Sequence, residues 1–535
     1  MPIISNRPPL DEQAARARAA GANVIELRVD LIGNITAVER FLNGPRMTPC
    51  ILTVRSAAEG GAWDGPDDER IALIERLGLL MPGYVDVELV TFQRSANLRQ
   101  KLGLIAELNG GASAAHAIGA RSKAENALAE PTTRRARNRL ILSVHDVHAT
   151  PSDIAGVMNR FPGSPALIHK GSFVARDGCD ALRILIELER RARQQPTILI
   201  GMGEAGVATR ILARKFGAFL SFAAFDNESE SAPGQLAPAT MRGLYRWDSI
   251  DGHTAVYGIV GWPVGHSKSP LVHNAGMAAN GVNGVYLPWP VAPDYEAFAR
   301  FMDTLADSPQ LGLRGLSVTI PHKENAFRWL SERGANMSEP ARRCGAVNTL
   351  SLSDGQWRGD NTDAQALAEM IALASWAGPG EKPRTILVLG SGGIARAAIA
   401  TAQPLAERLV IANRTESRAA ALAAEFACES VAWSARTDVS PDVVIQCTSL
   451  GMHPRSDESP LPPDALLPNS TVIETVYAPP RTRLLQDAAA RGCRTVSGVD
   501  LFIAQAERQF ELWQGQSPPQ GLFAQLLNGQ APAPR

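Results

Sequence analysis

Val388–Ala398 reads VLGSGGIARAA, an apolar run that stops at Gly390 and passes into Ala-rich helical sequence after Gly393. A strand over Thr385–Leu389 that turns through glycines into a helix opens a nucleotide-type βαβ unit, because the turn offers backbone N–H groups and a helix N-terminus to a pyrophosphate. Gly390, Gly392 and Gly393 permit the tight turn and the close backbone approach, with Ser391 set among them. A second strand, Leu409–Ala412, follows about 20 residues on and ends in ANRTESR. Its tip carries no acid to take a ribose 2′-hydroxyl. Arg414 and Arg418 stand there instead, suited to a 2′-phosphate, and Asn413 and Thr415 add hydrogen-bonding groups. The expected cofactor is therefore NADP(H) rather than NAD(H).

Upstream lie VGHSKSPLVHN, SVTIPHKE, GAVNTL and GDNTDA. Ser267 and Ser269 are two close hydroxyls that suit a carboxylate held without a full ion pair. Lys323 and Asp363 form a candidate proton-transfer pair for interconverting a ketone and an alcohol, and Thr319 and Asn348 offer neutral hydrogen bonds to ring hydroxyls.

The chain has 535 residues, too many for one core, so two or three domains are expected. Lys plus Arg number 53 against 54 Asp plus Glu, which gives no electrostatic reason to expect nucleic acid or an anionic membrane as partner. No apolar run approaches the roughly 18 to 20 residues of a membrane span. The start, MPIISNRPPLDEQ, lacks the basic-then-apolar pattern of a signal peptide. Six cysteines lie far apart without a CxxC pair, which argues against a zinc knuckle or disulfide scaffold and fits a reducing cytoplasm. No metal is expected.

The first 245 residues or so alternate strands with helical patterns such as Asp11–Ala20 and Asp180–Gln194. Apolar runs at Asn23–Val29, Cys50–Val54, Tyr84–Leu89, Leu140–Val144, Ala166–His169, Thr197–Ile200 and Ala218–Ala223, with a stub at Pro2–Ser5, predict eight strands and a (β/α)8 TIM barrel. Gly111–Asn138 reads as a peripheral helix or insertion. Where the runs stop, polar residues begin: Glu26 and Arg28, Arg55, His145, Lys170 and Arg210. The strand ends of such a barrel converge on one mouth, so an amine nucleophile, an imidazole base and carboxylate-binding guanidiniums would share a pocket. That set suits Schiff-base chemistry on an anionic keto compound. A lysine nucleophile reacts as the free amine, and crowding by Arg28, Arg55 and Arg210 is the expected source of repulsion.

The ordered set ELRVD, TVRSAAEGG, SVHD, HKG, GMGEAG and SAPGQ resembles type I 3-dehydroquinate dehydratase over residues 1–248. The resemblance implies that Lys170 forms an imine with the C3 ketone of 3-dehydroquinate. It implies also that His145 moves the proton, that Glu59 orients His145, and that Glu26, Arg28, Arg55, Arg210, Ser231 and Gln235 hold substrate. Val147 stands where that family usually has an aromatic. The second half resembles shikimate dehydrogenase, on the segments above together with CTSLGM, ETVYAPPRTRLL and GVDLFIAQAERQFELW. That resemblance adds Tyr477 and Gln505 to the shikimate site. It implies a substrate lobe over 253–364, completed by about 498–530, and a Rossmann NADP-binding lobe over 365–497, with a polar hinge at Glu381–Arg384. Three rival readings are a dehydrogenase acting mainly on quinate, a barrel that serves as a non-catalytic module, and an aldolase-like imine enzyme acting on sugar phosphates, which the arginine set and SAPGQ disfavour.

Overall fold

The computed structural model describes residues 1–94, 96–106, 139–164, 166–225, 234–373 and 385–529. The insertion at Gly111–Asn138, the hinge at Glu381–Arg384 and Ser231 lie outside the described residues. The chain divides into two compact units, Met1–Thr254 and Ala255–Arg535.

In the first unit seven parallel strands follow one another around the sheet in chain order. They are β1 (Pro2–Ile3), β2 (Ile25–Arg28), β3 (Cys50–Thr53), β4 (Gly83–Glu88), β5 (Arg139–Asp146), β6 (Leu167–Val174) and β7 (Thr197–Met202). Parallel neighbours need crossovers on the outer face, which brings every C-terminal strand end to the same side. The helix over Gly178–Ala192 shows how one crossover is specified. Asp177 caps its N-terminus by accepting from the Asp180 N–H, Arg190 and Arg191 sit in the last turn, and Ile184, Leu185 and Leu188 face the core. Inside the sheet Ile51, Ile141, Ile168, Ile198 and Phe222 form one apolar cluster, each side chain contributing about 1.5–3 kcal/mol by burial.

One expected strand does not form. Within Ala218–Ala223 the Phe219 N–H bonds to Thr197 O of β7 (2.8 Å), but the Ala224 N–H turns to Leu236 O (2.9 Å). The other flank of an eighth strand would be β1, which has two residues and little ladder to offer. Among the described residues the barrel thus has seven strands and one segment without a ladder, and that segment still delivers Phe222 to the interior.

The second unit holds two six-stranded sheets. The first contains β8 (Ala255–Gly261), β9 (Gly284–Pro290), β10 (Leu313–Val318), β11 (Asn336–Met337), β12 (Thr349–Ser353) and β13 (Gln356–Asp360) in the order β11-β13-β12-β10-β8-β9. The β12–β13 hairpin is antiparallel, and β12 also pairs antiparallel with β10. The second sheet is wholly parallel: β14 (Thr385–Leu389), β15 (Arg408–Ala412), β16 (Glu429–Val431), β17 (Val443–Gln446), β18 (Thr471–Glu474) and β19 (Arg494–Val496). Its order, β16-β15-β14-β17-β18-β19, is the 3-2-1-4-5-6 order of a Rossmann sheet. The helix Gly498–Gln514 returns to the first sheet, where Phe502, Ala506 and Phe510 pack with Phe523 against Tyr257, Ile259 and Tyr286.

Candidate active sites

Strands β2, β5 and β6 bring Glu26, Arg28, His145 and Lys170 around one pocket. They are joined by Arg55 and Glu59 from the segment after β3, Arg210 from a short helix after β7, well past the strand end expected for it, and Gln235 from a loop. Lys170 lies on β6 and is buried, with Nζ donating to Asp86 Oδ2 at 2.9 Å and standing 3.7 Å from Glu26 Oε1. Phe222 covers the same ammonium, its ring centroid 4.9 Å from Nζ. The nearest charges are therefore carboxylates, not the arginines expected to crowd the lysine. Arg55 reaches Asp86 from the other side, Nη2 donating to Oδ1 at 2.8 Å, while its Nη1 donates to Ser143 Oγ at 2.8 Å. Ser143 in turn donates to Asp86 Oδ1 (2.6 Å). Burial alone would raise the Asp86 pKa. The Arg55 and Lys170 charges overcome it and hold the carboxyl well below the usual carboxylate range.

His145 is next to last in β5, with Nδ1 2.8 Å from Glu59 Oε2. Burial, reinforced by the Arg55 and Lys170 charges, keeps the imidazole pKa well below its ordinary value, so the ring is neutral near pH 7. Glu59 moves the opposite way. Burial pushes it up to about 7, with Arg55 opposing and Glu88 adding like-charge repulsion. Glu59 sits in a short turn after β3 that is pinned by the Ser56 N–H donating to Glu88 Oε1 (2.8 Å), and Glu88 pairs with buried Arg70 at 3.0 Å. Arg28 is held by Asp30 through two hydrogen bonds, 3.0 and 2.7 Å.

Sequence reasoning missed Asp86, Glu88, Asp30 and Ser143. A signal existed for the first two. In Tyr84–Leu89 the carboxylates occupy alternate positions of an otherwise apolar strand, hence one face, and buried acids on one face need cations.

In the second unit Lys323 begins the helix Lys323–Glu332, and Asp363 lies in the first turn of the helix Thr362–Leu373. Lys323 Nζ donates to Asp363 Oδ2 at 2.7 Å, both side chains largely buried. Adjacent residues tie the two segments together: the Val347 N–H donates to Lys323 O (2.9 Å), while Asn348 Oδ1 accepts from the Thr362 N–H (2.8 Å) and its Nδ2 donates to Thr362 Oγ1 (2.9 Å). Ser269 is buried, its N–H donating to half-buried Ser267 Oγ at 3.2 Å. Thr319 follows β10, anchored by its N–H to Val260 O (2.9 Å). Tyr477 hydrogen-bonds Ser267 and packs on Phe502 with centroids 4.6 Å apart. The Gln505 amide donates to Phe502 O within its own helix (3.0 Å).

Behind these residues runs a polar chain that the sequence did not announce. Tyr286 OH donates to Ser317 Oγ (2.6 Å), Ser317 to Gln509 Oε1 (2.7 Å), and Gln509 Nε2 to Asn348 O (3.0 Å) and Thr349 Oγ1 (2.9 Å). Gln509 comes from the returning helix, more than 150 residues from its partners, so no local pattern marks it.

The glycine loop fits a dinucleotide. Gly390 has φ +120°, a conformation L side chains rarely adopt, and a methyl on Gly392 would meet nothing within 4 Å, leaving that backbone open to approach. The Ser391 carbonyl accepts from Arg418 Nη2 (3.4 Å), and Arg418 also stands 3.8 Å from Glu324. Asn413 Nδ2 donates to Thr415 O (2.9 Å) just past the tip of β15. Arg414 is exposed there and makes no ion pair among the described residues.

The type I 3-dehydroquinase family model matches residues 3–107 and 119–251. The shikimate dehydrogenase substrate binding domain matches residues 259–350. A chloroplastic bifunctional 3-dehydroquinate dehydratase/shikimate dehydrogenase of Arabidopsis thaliana is 32% identical, covering 96% of this chain and 81% of that protein. NADP(+) shikimate dehydrogenases of Maridesulfovibrio salexigens (37% identical) and Gluconobacter oxydans (39%) cover 49% and 50% of this chain and 91% and 93% of their own lengths. With both halves matched in order along nearly its whole length, the chain belongs to the family of bifunctional 3-dehydroquinate dehydratase/shikimate dehydrogenases.

Proposed function

We propose that the first unit dehydrates 3-dehydroquinate through an imine on Lys170, and that the second reduces the product, 3-dehydroshikimate, to shikimate with NADPH. The observation that carries the first half is a buried amine sharing one pocket with a neutral imidazole and three arginines. The Lys170 amine adds to the C3 ketone and water leaves, giving an iminium that draws electrons from C2. With the His145 Nδ1–H directed at Glu59, Nε2 is the free base. It takes the C2 proton and returns it to the departing C1 hydroxyl, and hydrolysis of the imine frees the amine. Arg28, Arg55 and Arg210 hold the carboxylate and, with Glu26, Ser231 and Gln235, the hydroxyls. Asp86 keeps Lys170 and Arg55 apart at fixed distance.

In the second unit Ser267, Ser269 and Tyr477 hold the substrate carboxylate, and Thr319, Asn348 and Gln505 the ring hydroxyls. Gly390, Ser391, Gly392 and Gly393 cradle the pyrophosphate, and Asn413, Arg414, Thr415 and Arg418 take the 2′-phosphate end. When bound, NADPH supplies the hydride for the ketone. Lys323 gives a proton to the oxygen that becomes the hydroxyl, and Asp363 orients the ammonium. The substrate lobe comprises 253–364 with 498–530, and the nucleotide lobe 365–497. Six unpaired cysteines support a reducing compartment such as the cytoplasm. Among the described residues no helix is long and apolar enough to cross a membrane.

Adding 3-dehydroquinate to the enzyme with NADPH tests both sites at once: absorbance at the nicotinamide band should fall. If it stays flat while added 3-dehydroshikimate is reduced, the barrel reading fails. Borohydride trapping with 3-dehydroquinate should then leave no adduct on Lys170.

A further inference from the structure

Gly393 is the first residue of the helix Gly393–Ala402, and its φ is not in the left-handed region. Neither position nor backbone demands a glycine, and an alanine in a helix is favoured by about 1 kcal/mol. The demand comes from across the cleft. A Cβ on Gly393 would lie 2.7 Å from Lys323 Cβ, 2.9 Å from its Cδ and 3.3 Å from its Cγ. Ordinary carbon contacts are about 3.5–4.0 Å. These atoms are the root and stem of Lys323, not its free end. Its carbonyl accepts the Val347 N–H (2.9 Å) and its ammonium is held by Asp363 at 2.7 Å, so it is fixed at both ends. The opposing helix is fixed as well, with Ala395, Ala397 and Ala398 fully buried.

The three loop glycines therefore divide the work. Gly390 supplies a backbone angle and Gly392 an open face, while Gly393 makes room for a side chain of the other lobe. We infer that Gly393 is a positioning residue for Lys323: the loop that cradles the pyrophosphate also forms the wall that aims the lysine at Asp363. This rests on the acid–base reading of Lys323 given above. Its consequence is that loop and lysine move as one packed piece, so a methyl at 393 disturbs proton transfer more than cofactor binding.

The test uses the full-length enzyme and three readouts. Gly393→Ala should lower kcat for shikimate oxidation about tenfold to a hundredfold, the scale for a displaced catalytic group. Alanine keeps the Gly393 backbone N–H that serves the pyrophosphate, and its Cβ points at Lys323, so the NADPH Kd from fluorescence titration should move less than about threefold while the pH profile of kcat shifts. Gly392→Ala should do the reverse, weakening NADPH more than it slows turnover. Should Gly393→Ala fold poorly, thermal unfolding still decides. In a Lys323→Gly background the Tm loss caused by Gly393→Ala should shrink by at least half, since the colliding atoms are gone. Equal Tm losses in both backgrounds, kcat within twofold of the parent, or a loss explained wholly by NADPH affinity would overturn the inference. A Lys323→Ala variant that still reduced 3-dehydroshikimate would sink the acid–base reading instead, leaving the Tm comparison to report on the contact itself.

Discussion

Each unit contains a lysine hydrogen-bonded to an aspartate, Lys170–Asp86 at 2.9 Å and Lys323–Asp363 at 2.7 Å, yet the two pairs live in different company. Around the first, Arg55, Glu26, Ser143, Phe222 and the Glu59–His145 pair crowd together, and Asp86 serves two cations at once. The second is the only ion pair that Lys323 and Asp363 make among the described residues, and a glycine wall abuts its stem. One motif thus supports two chemistries. In the function proposed above, the lysine bonds to carbon where the carboxylate is shared within a charged cluster and an imidazole stands by. In the same proposal it passes a proton where the pair is isolated beside the glycine loop.

The sharpest break of this comparison is in activity. Lys170→Ala should abolish dehydration by about a thousandfold or more while reduction of 3-dehydroshikimate persists, and Lys323→Ala should do the converse. Separate assays on each intermediate check both, and joint loss in either variant would contradict two autonomous sites. The next effect is in stability. Asp86→Asn leaves Arg55 and Lys170 buried without their shared anion, which costs about 3–5 kcal/mol, whereas Asp363→Asn strands one less deeply enclosed ammonium and should cost about half of that or less. Urea unfolding of the two variants would show it, and equal losses would remove the distinction drawn here. The smallest effect is pH-linked and belongs to the second unit. Burial pushes fully enclosed Glu474 up to about 7, where it accepts from the Val476 N–H and the Thr482 hydroxyl. The folded state therefore prefers the protonated acid. That contribution is complete below about pH 4.5 and is lost as pH rises toward 7, by at most about 3 kcal/mol. Relative to Glu474→Gln, the parent should lose Tm across that window, and parallel Tm–pH curves would refute it.

Much of this was legible in the sequence because the informative residues interrupt a pattern. Lys170, His145 and Arg55 stand where apolar runs stop, and VLGSGGIARAA announces its turn by losing side chains. What escaped was information carried by partners distant in sequence. Asp86 meets Lys170 across 84 residues, and Gln509 meets Thr349 across 160. An acid inside an apolar strand is ambiguous until its cation is known, which is why arginine repulsion was expected at Lys170 and carboxylates were found. Ala218–Ala223 misled in another way. Its composition suits a strand, but beyond Phe219 its backbone turns away from β7, and on the other flank the two-residue β1 offers almost no ladder.

The return of Gly498–Gln514 to the first sheet of the second unit has a consequence for how the protein is made. Tyr257 and Tyr286 emerge from the ribosome more than 200 residues before Phe510 and Phe523, the rings that finally cover them. The early half of that unit must wait with an apolar face bare until the segment carrying Phe510 and Phe523 has been made. By contrast, the first unit is compact by residue 254 and can settle during synthesis. Loss of the last few dozen residues would therefore spare dehydration and cripple reduction, although the missing segment contains neither Lys323 nor Asp363.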